Sequence, residues 1–231
     1  MLCGTNMTDI KISNRSAILR LLHEAGAMSR KQIAARLKLT PATITVIINE
    51  LMNESILVEG NSVPNAGAVG RREVMVEISR EKYVALGLAL SQGLVKFTVV
   101  NLHGEIIHEE TFKLPEILTP EYFAETIGRQ IQLKIASYGY SENFIIGIGI
   151  TVCGVVDFAN GIILDSDGIW EEKNVPIVKM FRKQFSFPVI AANNVRSYAN
   201  AYAFLQHDSQ LQNMLFIRNE ATMGVSLILN G

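Results

Sequence analysis

The sequence predicts a mixed α/β chain in two parts: a small helical head, then a larger body in which strands and helices alternate. Three observations carry this. Apolar residues in the first fifty recur at the three- and four-residue spacing of amphipathic helices. From residue 84 onward, short apolar runs alternate with helical stretches. The charge divides in the same place: residues 1–72 hold nine Lys/Arg against five Asp/Glu, and residues 73–231 hold twelve against seventeen, on a chain of net charge −1. With 231 residues, 48% of them hydrophobic and 19% charged, the chain is long and apolar enough to bury a core, which excludes a disordered polymer. Two cysteines, Cys3 and Cys153, are too few for a disulfide framework or a thiolate metal site, and point to a reducing cytoplasm. No run of about 18 uncharged apolar residues occurs, and residues 1–11 lack the apolar core of a secretory signal, so no membrane partner is expected.

The head reads as three short helices and a hairpin. Asn14 is placed to cap a first helix with Ile18, Leu21, Leu22 and Ala25 on one face and Gly26 after it. Ser29 caps a second, with Gln32 three residues on completing a capping box and Ile33, Ala34 and Leu37 inward. Lys38-Leu39 is the turn. Thr40 caps a third helix with Pro41 at its first position, where the missing N–H costs nothing. Ile44, Ile47, Ile48 and Leu51 face inward, leaving Ala42, Thr43, Thr45 and Asn49 outward, with no acid before Glu50. Residues 56–58 and 74–78 read as two strands flanking a Gly/Asn/Pro-rich stretch.

Two short helices joined by a tight turn and followed by a hairpin form a winged helix-turn-helix. A small polar helix N-terminus fits the major groove. Thr43 and Thr45 are candidates for base edges or phosphates, Asn49 shares their DNA-facing surface, and the amides behind Thr40 suit a phosphate. Arg30 and Lys31 begin the preceding helix, which crosses the backbone in this motif. Arg71 and Arg72, after Gly70, suit a narrow minor groove or phosphates, and fit solvated linker arginines equally well. A three-helix bundle for protein contacts is the alternative. The basic charge, the helix lengths and the capping together favour double-stranded DNA.

In the body, residues 84–90, 95–101 and 106–112 read as consecutive strands. Residues 120–137 form a helix begun by Thr119. Residues 144–152 form a strand apolar enough for a sheet covered on both faces, and residues 154–164 a hairpin turning at Ala159-Asn160-Gly161. A helix over 175–185, a strand over 187–191, a helix over 195–206 and strands over 214–218 and 225–229 complete it. A three-strand meander followed by α/β alternation is similar to one lobe of a ribonuclease-H-like, actin-like domain. The implied organisation is a winged head over 1–62, a Gly/Arg linker and wing strand over 63–80, and the partial body over 81–231.

This order, with Ser29-Arg30-Lys31-Gln32-Ile33-Ala34, Leu39-Thr40-Pro41-Ala42-Thr43-Ile44-Thr45 and Gly147-Ile148-Gly149-Ile150-Thr151-Val152-Cys153-Gly154-Val155-Val156-Asp157, resembles the ROK family (repressor, open reading frame, kinase). Cys153 stands where the family usually has Pro. Asn193-Asn194-Val195-Arg196-Ser197 lies where the kinases carry Asn-Asp-Ala-Asn and the sugar-responsive repressors carry His-Asp-Ile-Arg-Ser-like runs.

The family holds sugar kinases and sugar-responsive regulators, and the helix-turn-helix belongs to the regulators. The resemblance therefore implies a repressor of carbohydrate genes: a cytoplasmic homodimer on a DNA operator, responsive to a sugar or sugar phosphate near Gly154, Asn193 and Asn194. Asn193-Asn194 equally fits a plain helix cap. In the kinases an acid and a Gly-Gly-Thr-like loop follow the first strand; here Ala89 and Ser91-Gln92-Gly93 stand there. Asn194 falls where the catalytic base is expected, and an amide does not accept that proton. No phosphoryl transfer, cofactor or metal is expected. Asp157, Asp165 and Asp167 read as turn acids, Glu171-Glu172 as solvated, and Trp170 as packing in preference to a sugar platform. Residues 221–231 resemble the opening strands of a second lobe. Family members normally continue with more than a hundred further residues carrying sugar contacts, a zinc site and much of the dimer interface, so the second lobe is expected to be incomplete here. Two other readings stay open: a vestigial sugar kinase whose head contacts protein, and a ligand-blind DNA binder.

Overall fold

The computed structural model describes residues 6–60, 73–115, 119–206, 212–219 and 223–230. The chain divides into two compact units, Met1–Lys82 and Tyr83–Gly231.

In the first unit, α1 (Met7–Ala25), α2 (Arg30–Leu37) and α3 (Pro41–Asn53) accompany an antiparallel sheet ordered β1-β3-β2. Its strands are β1 (Met28–Ser29), β2 (Leu57–Glu59) and β3 (Met75–Ile78). The sequence reading contains β2 and β3 but not the two-residue β1, which pairs Met28 with Val76. The expected start of α1 at Asn14 is corrected: the cap is Asn6. Its side chain accepts from the Thr8 amide, while the Asp9 carboxylate accepts from the Asn6 amide. Two orphan amides are satisfied there at once, whereas Asn14 sits inside the helix. Ile10 and Ile12 are exposed, so no buried stripe marks this first part of α1.

The other caps stand as the residues imply. Ser29 and Gln32 form the box on α2, and Thr40 accepts from the Thr43 amide on α3. Lys38 makes the turn with a left-handed φ of 54°. Ile18, Ile33, Ile44, Ile48, Leu51 and Leu57 are all but fully buried between these elements.

The ion pairs join α1 to α3. Lys11 Nζ lies 2.8 Å from Glu50 Oε1, and Arg15 Nη1 donates to Glu54 Oε1 at 3.0 Å. That hydrogen bond from Arg15 holds the Glu54 carboxyl below its ordinary pKa, and the same bond raises the Arg15 guanidinium.

In the second unit the main sheet is ordered β10-β7-β4-β5-β6. β4 (Val84–Ser91), β5 (Leu94–Asn101) and β6 (Ile106–Lys113) form the antiparallel meander. β7 (Ile145–Val152) runs parallel to β4, and β10 (Val189–Asn193) parallel to β7. The β6-to-β7 crossover is α4 (Pro120–Ser137), capped by Thr119, followed by a 3₁₀ turn at Glu142–Phe144. Between β7 and β10 lie the hairpin β8 (Val155–Asp157) and β9 (Ile162–Asp165) and the helix α5 (Ile177–Phe181). Phe123, Ile127 and Ile131 of α4 share one core with Phe181 of α5 and with Leu86, Leu88, Phe97, Ile148 and Ile150 of the sheet. α6 (Asn194–Leu205) then leads to an antiparallel pair, β11 (Asn213–Asn219) and β12 (Met223–Leu229). Gly224 lets β12 approach α6, since a Cβ there would lie 2.4 Å from Val195 Cγ2.

Two expectations for the body are corrected. The helix read over 175–185 is only Ile177–Phe181. Val175 exchanges backbone hydrogen bonds with Ile163, which holds it extended, and the Gln184 side chain bonds the Ala124 carbonyl beyond the helix end. The second face of β7 is only partly covered: Ile145, Ile148, Ile150 and Val152 are buried, Gly147, Gly149 and Thr151 are half-buried with α6 against the strand, and Ile146 is 50% exposed.

The α1–α3 ion pairs set an acid limit. A folded-state pKa below the ordinary value means that Glu54 stabilises the fold above the ordinary range, and that this contribution fades as pH falls through the lowered pKa. Arg15→Ala is expected to cost less than about 1 kcal/mol at pH 7, because the pair is partly exposed. It should also weaken the loss of stability on acidification below about pH 4.5. Thermal unfolding of the full chain from pH 3 to pH 7 measures both effects.

Candidate functional site

The first site is the outer surface of α2 and α3. Helix α3 buries Ile44, Ile47, Ile48 and Leu51 and thereby turns Ala42, Thr45, Val46 and Asn49 outward. These four recur at i, i+3, i+4 and i+7, one continuous stripe. Val46, 57% exposed, is not among the residues singled out from the sequence. Its position on that stripe was the available signal.

The polar candidates are more engaged than their sequence positions suggest. Thr43 Oγ1 lies 2.9 Å from Thr40 Oγ1, and Thr40 Oγ1 also accepts from the Thr43 amide. Thr45 donates its hydroxyl to the Pro41 carbonyl at 2.8 Å. Arg30 Nη1 donates to Asn49 Oδ1 at 2.8 Å, and Nη2 lies 3.5 Å from Met52 Sδ, so these two candidates brace each other across α2 and α3. Lys31, Arg36 and Lys38 are exposed. Among the described residues no acid pairs with these three, because Glu50 and Glu54 are held by Lys11 and Arg15 of α1. Arg71 and Arg72 lie outside the described residues.

The second site is the end of the main sheet where parallel β4, β7 and β10 finish. Leu90 pairs with Val152, and Val152 with Asn193, in one row. The chain leaves this row as the turn Ser91-Gln92-Gly93, as Cys153-Gly154 and as Asn193-Asn194. Asn193 Nδ2 donates to the Gly154 carbonyl at 2.8 Å, bringing two of the candidate effector residues into contact. Asn193 Oδ1 meanwhile accepts from the Val195 and Arg196 amides, so the same carboxamide caps α6. Asn194, half-buried in the first turn, accepts from the Val195 amide at 2.8 Å. Gly154 has a φ of 135°, and a Cβ there would lie 2.1 Å from the Asp165 carbonyl oxygen, so a side chain is excluded. Cys153 Sγ donates to Asp167 Oδ2 at 3.2 Å, and Gly168 lies against the Gln92 amide. Ser91-Gln92-Gly93 therefore borders the 166–168 loop.

The acids here serve turns. Asp157 accepts from the Asn160 side chain and backbone, which holds its carboxyl low; Asp165 is held low by the Asp167 amide and by Lys173. Among the described residues no cluster of three metal-ligating side chains occurs. Trp170 is 7% exposed, with its ring edge-on to Phe123 at 5.3 Å between centroids, which is core packing. Glu171 and Glu172 are exposed. None of the described helices is long and apolar enough to cross a membrane.

A winged helix-turn-helix head followed in the chain by an actin-like sheet lobe is thus the class of protein these elements define. The family comparisons agree: a winged helix-turn-helix DNA-binding model matches residues 13–58, and the ROK family model matches residues 86–231. The chain belongs to the ROK family. It is 26% identical over 226 residues to the DNA-binding transcriptional dual regulator NagC of Escherichia coli K12, covering 98% of this chain and 55% of the relative. The transcriptional repressor Mlc of the same organism is 24% identical, with 98% and 55% covered. The xylose repressor of Bacillus spizizenii is 22% identical, with 97% and 57% covered. The chain spans about half the length of the curated relatives it matches. Among solved structures, a ROK family transcriptional regulator homologous to E. coli Mlc superposes with a TM-score of 0.78 at 23% identity, over 96% of this chain and 55% of that one. A putative sugar kinase from Cytophaga hutchinsonii superposes with a TM-score of 0.56 at 22% identity, over 64% and 48%.

Asn193→Ala removes both the α6 cap and the tie to Gly154. It is expected to destabilise the body by about 1–2 kcal/mol, read as a lowered midpoint in urea. Asn193→Asp keeps the cap oxygen but not the donor, so it should recover part of that loss.

Proposed function

We propose that the chain acts as a DNA-binding transcriptional regulator of the sugar-responsive repressor type, controlling carbohydrate genes, with a body that senses a sugar or sugar phosphate and carries out no phosphoryl transfer. The observation that carries this is the braced α2–α3 pair, with an acid-free outer stripe on α3 beside exposed cations on α2 that no acid among the described residues pairs with. The winged helix-turn-helix match and the regulator names of the relatives support it. Arg30, Lys31 and the amides behind Thr40 would meet the phosphate backbone, and Thr43, Thr45 and Asn49 the major groove. Arg71 and Arg72 would meet the minor groove or phosphates. One recognition helix covers a half-site, so the acting species is a homodimer on a two-fold operator, in the cytoplasm.

In the body, Gly154, Asn193 and Asn194 would form one wall of an effector site. The effector would act by changing the spacing or mobility of the paired heads, a coupling free energy between two sites. Ala89 and Asn194 replace the acid and the base that the kinases of the family use, so ATP-dependent sugar phosphorylation is absent. The fold shared with sugar kinases makes catalysis the competing reading.

Fluorescence anisotropy with the DNA upstream of the chain's own gene, titrated at several salt concentrations against random competitor, tests the proposal. The expected result is binding that survives competitor and weakens steeply with salt. Lys31→Ala should weaken all duplexes alike and reduce the salt slope by about one per protomer. The absence of binding even at low salt overturns the reading. Calorimetry with candidate sugars tests sensing, and sugar-dependent ATP consumption that Asn194→Ala abolishes would favour the kinase.

A further inference from the structure

We propose that α3 reads DNA chiefly by apolar contact with thymine 5-methyl groups, through Ala42, Thr45 and Val46, and not by hydrogen bonds to guanine. This rests on the DNA-binding reading above. The outward stripe offers a methyl from Ala42, the γ-methyl of Thr45 and the two methyls of Val46, all on exposed residues one or two turns into the helix. The Thr45 hydroxyl proton is already given to the Pro41 carbonyl, so Thr45 has none to offer the acceptors of guanine, and its methyl joins the stripe. From Pro41 to Ile48 the helix carries no Arg, Lys, Gln, Asn or acid, so nothing there can make the paired bonds to guanine O6 and N7. Asn49 is the first residue on the stripe with a carboxamide, and its Oδ1 accepts from Arg30, which competes with the two-point pairing to adenine. The thymine methyl is the apolar group that the major groove presents, so it is the complement of this surface. The exposed Lys31, Arg36 and Lys38 complement the phosphates on either side. An exposed valine in the middle of a solvated helix face has a purpose on this account.

The test uses the full chain and a random 30-base-pair duplex library. Duplexes recovered by repeated selection are resynthesised with deoxyuridine in place of thymidine, one position per half-site at a time; this removes only the methyl. At one or more positions the wild type should bind the uracil duplex about fourfold more weakly per methyl lost. Val46→Ala or Thr45→Ser should shrink that ratio toward one at the same position, as coupled groups do in a double-mutant cycle. Both side chains are exposed, so the variants fold. Equal binding of thymine and uracil duplexes by the wild type overturns the proposal while leaving DNA binding intact. So does a ratio that neither variant changes, or a selected site without thymine in the half-sites. Failure to recover any duplex at low salt overturns the DNA-binding reading itself, and would leave the stripe as a protein contact.

Discussion

The parallel pairing of β7 with both β4 and β10 is the constraint on which the body depends. Parallel strands must all finish at the same end of the sheet, and their register here puts Leu90, Val152 and Asn193 in one row. Three loops far apart in sequence then leave from neighbouring points, and open α/β sheets place ligands at such an end. The same pairing needs long crossovers. These supply α4, α5 and the aromatic cluster of Phe123, Phe181 and Trp170 that fills the space beside the sheet. Gly154 is the tightest consequence: the chain turns out of β7 against the Asp165 carbonyl, with no room for a side chain.

In the head the equivalent constraint is electrostatic and steric together. The apolar face of α3 has to be buried, which fixes which residues face out. Glu50 and Glu54, the acids of α3 and its C-cap, are drawn toward Lys11 and Arg15 of α1. The α2 cations and the outer stripe of α3 are left without acidic neighbours from these residues. A polyanion-facing surface thus arises from where the acids are placed as much as from where the bases are.

Much of the candidate interface was legible because its signals are local. Ser29/Gln32 and Thr40/Pro41 fix two helix starts within a few residues of chain, and the Ile44, Ile47, Ile48, Leu51 period fixes the rotation of α3. Asn6 is not legible as a cap, because the helix it begins shows no apolar period until Ile18. At the sheet end, the residue types at Gly154, Asn193 and Asn194 were evident, but their meeting was not. Nothing local says that the Asn193 side chain both caps α6 and reaches the Gly154 carbonyl. Helix α5 is shorter than its hydrophobic spacing suggests, because that spacing cannot register that Val175 is held extended by Ile163.

The sequence by itself determined the two-part organisation, the turn chemistry, the caps of α2, α3 and α4 and the inward faces, since each depends on residues within about one or two turns of each other. Tertiary structure alone decided which hydroxyls and amides remain available on those faces. Thr45 and Asn49 look equally polar in the sequence. One is engaged by its own helix, and the other by an arginine nineteen residues earlier on a neighbouring helix. A hydrogen bond is a property of two groups in space, so the chemistry that α3 presents, methyl-rich where the residue names suggest hydroxyls, becomes readable only once both partners are placed.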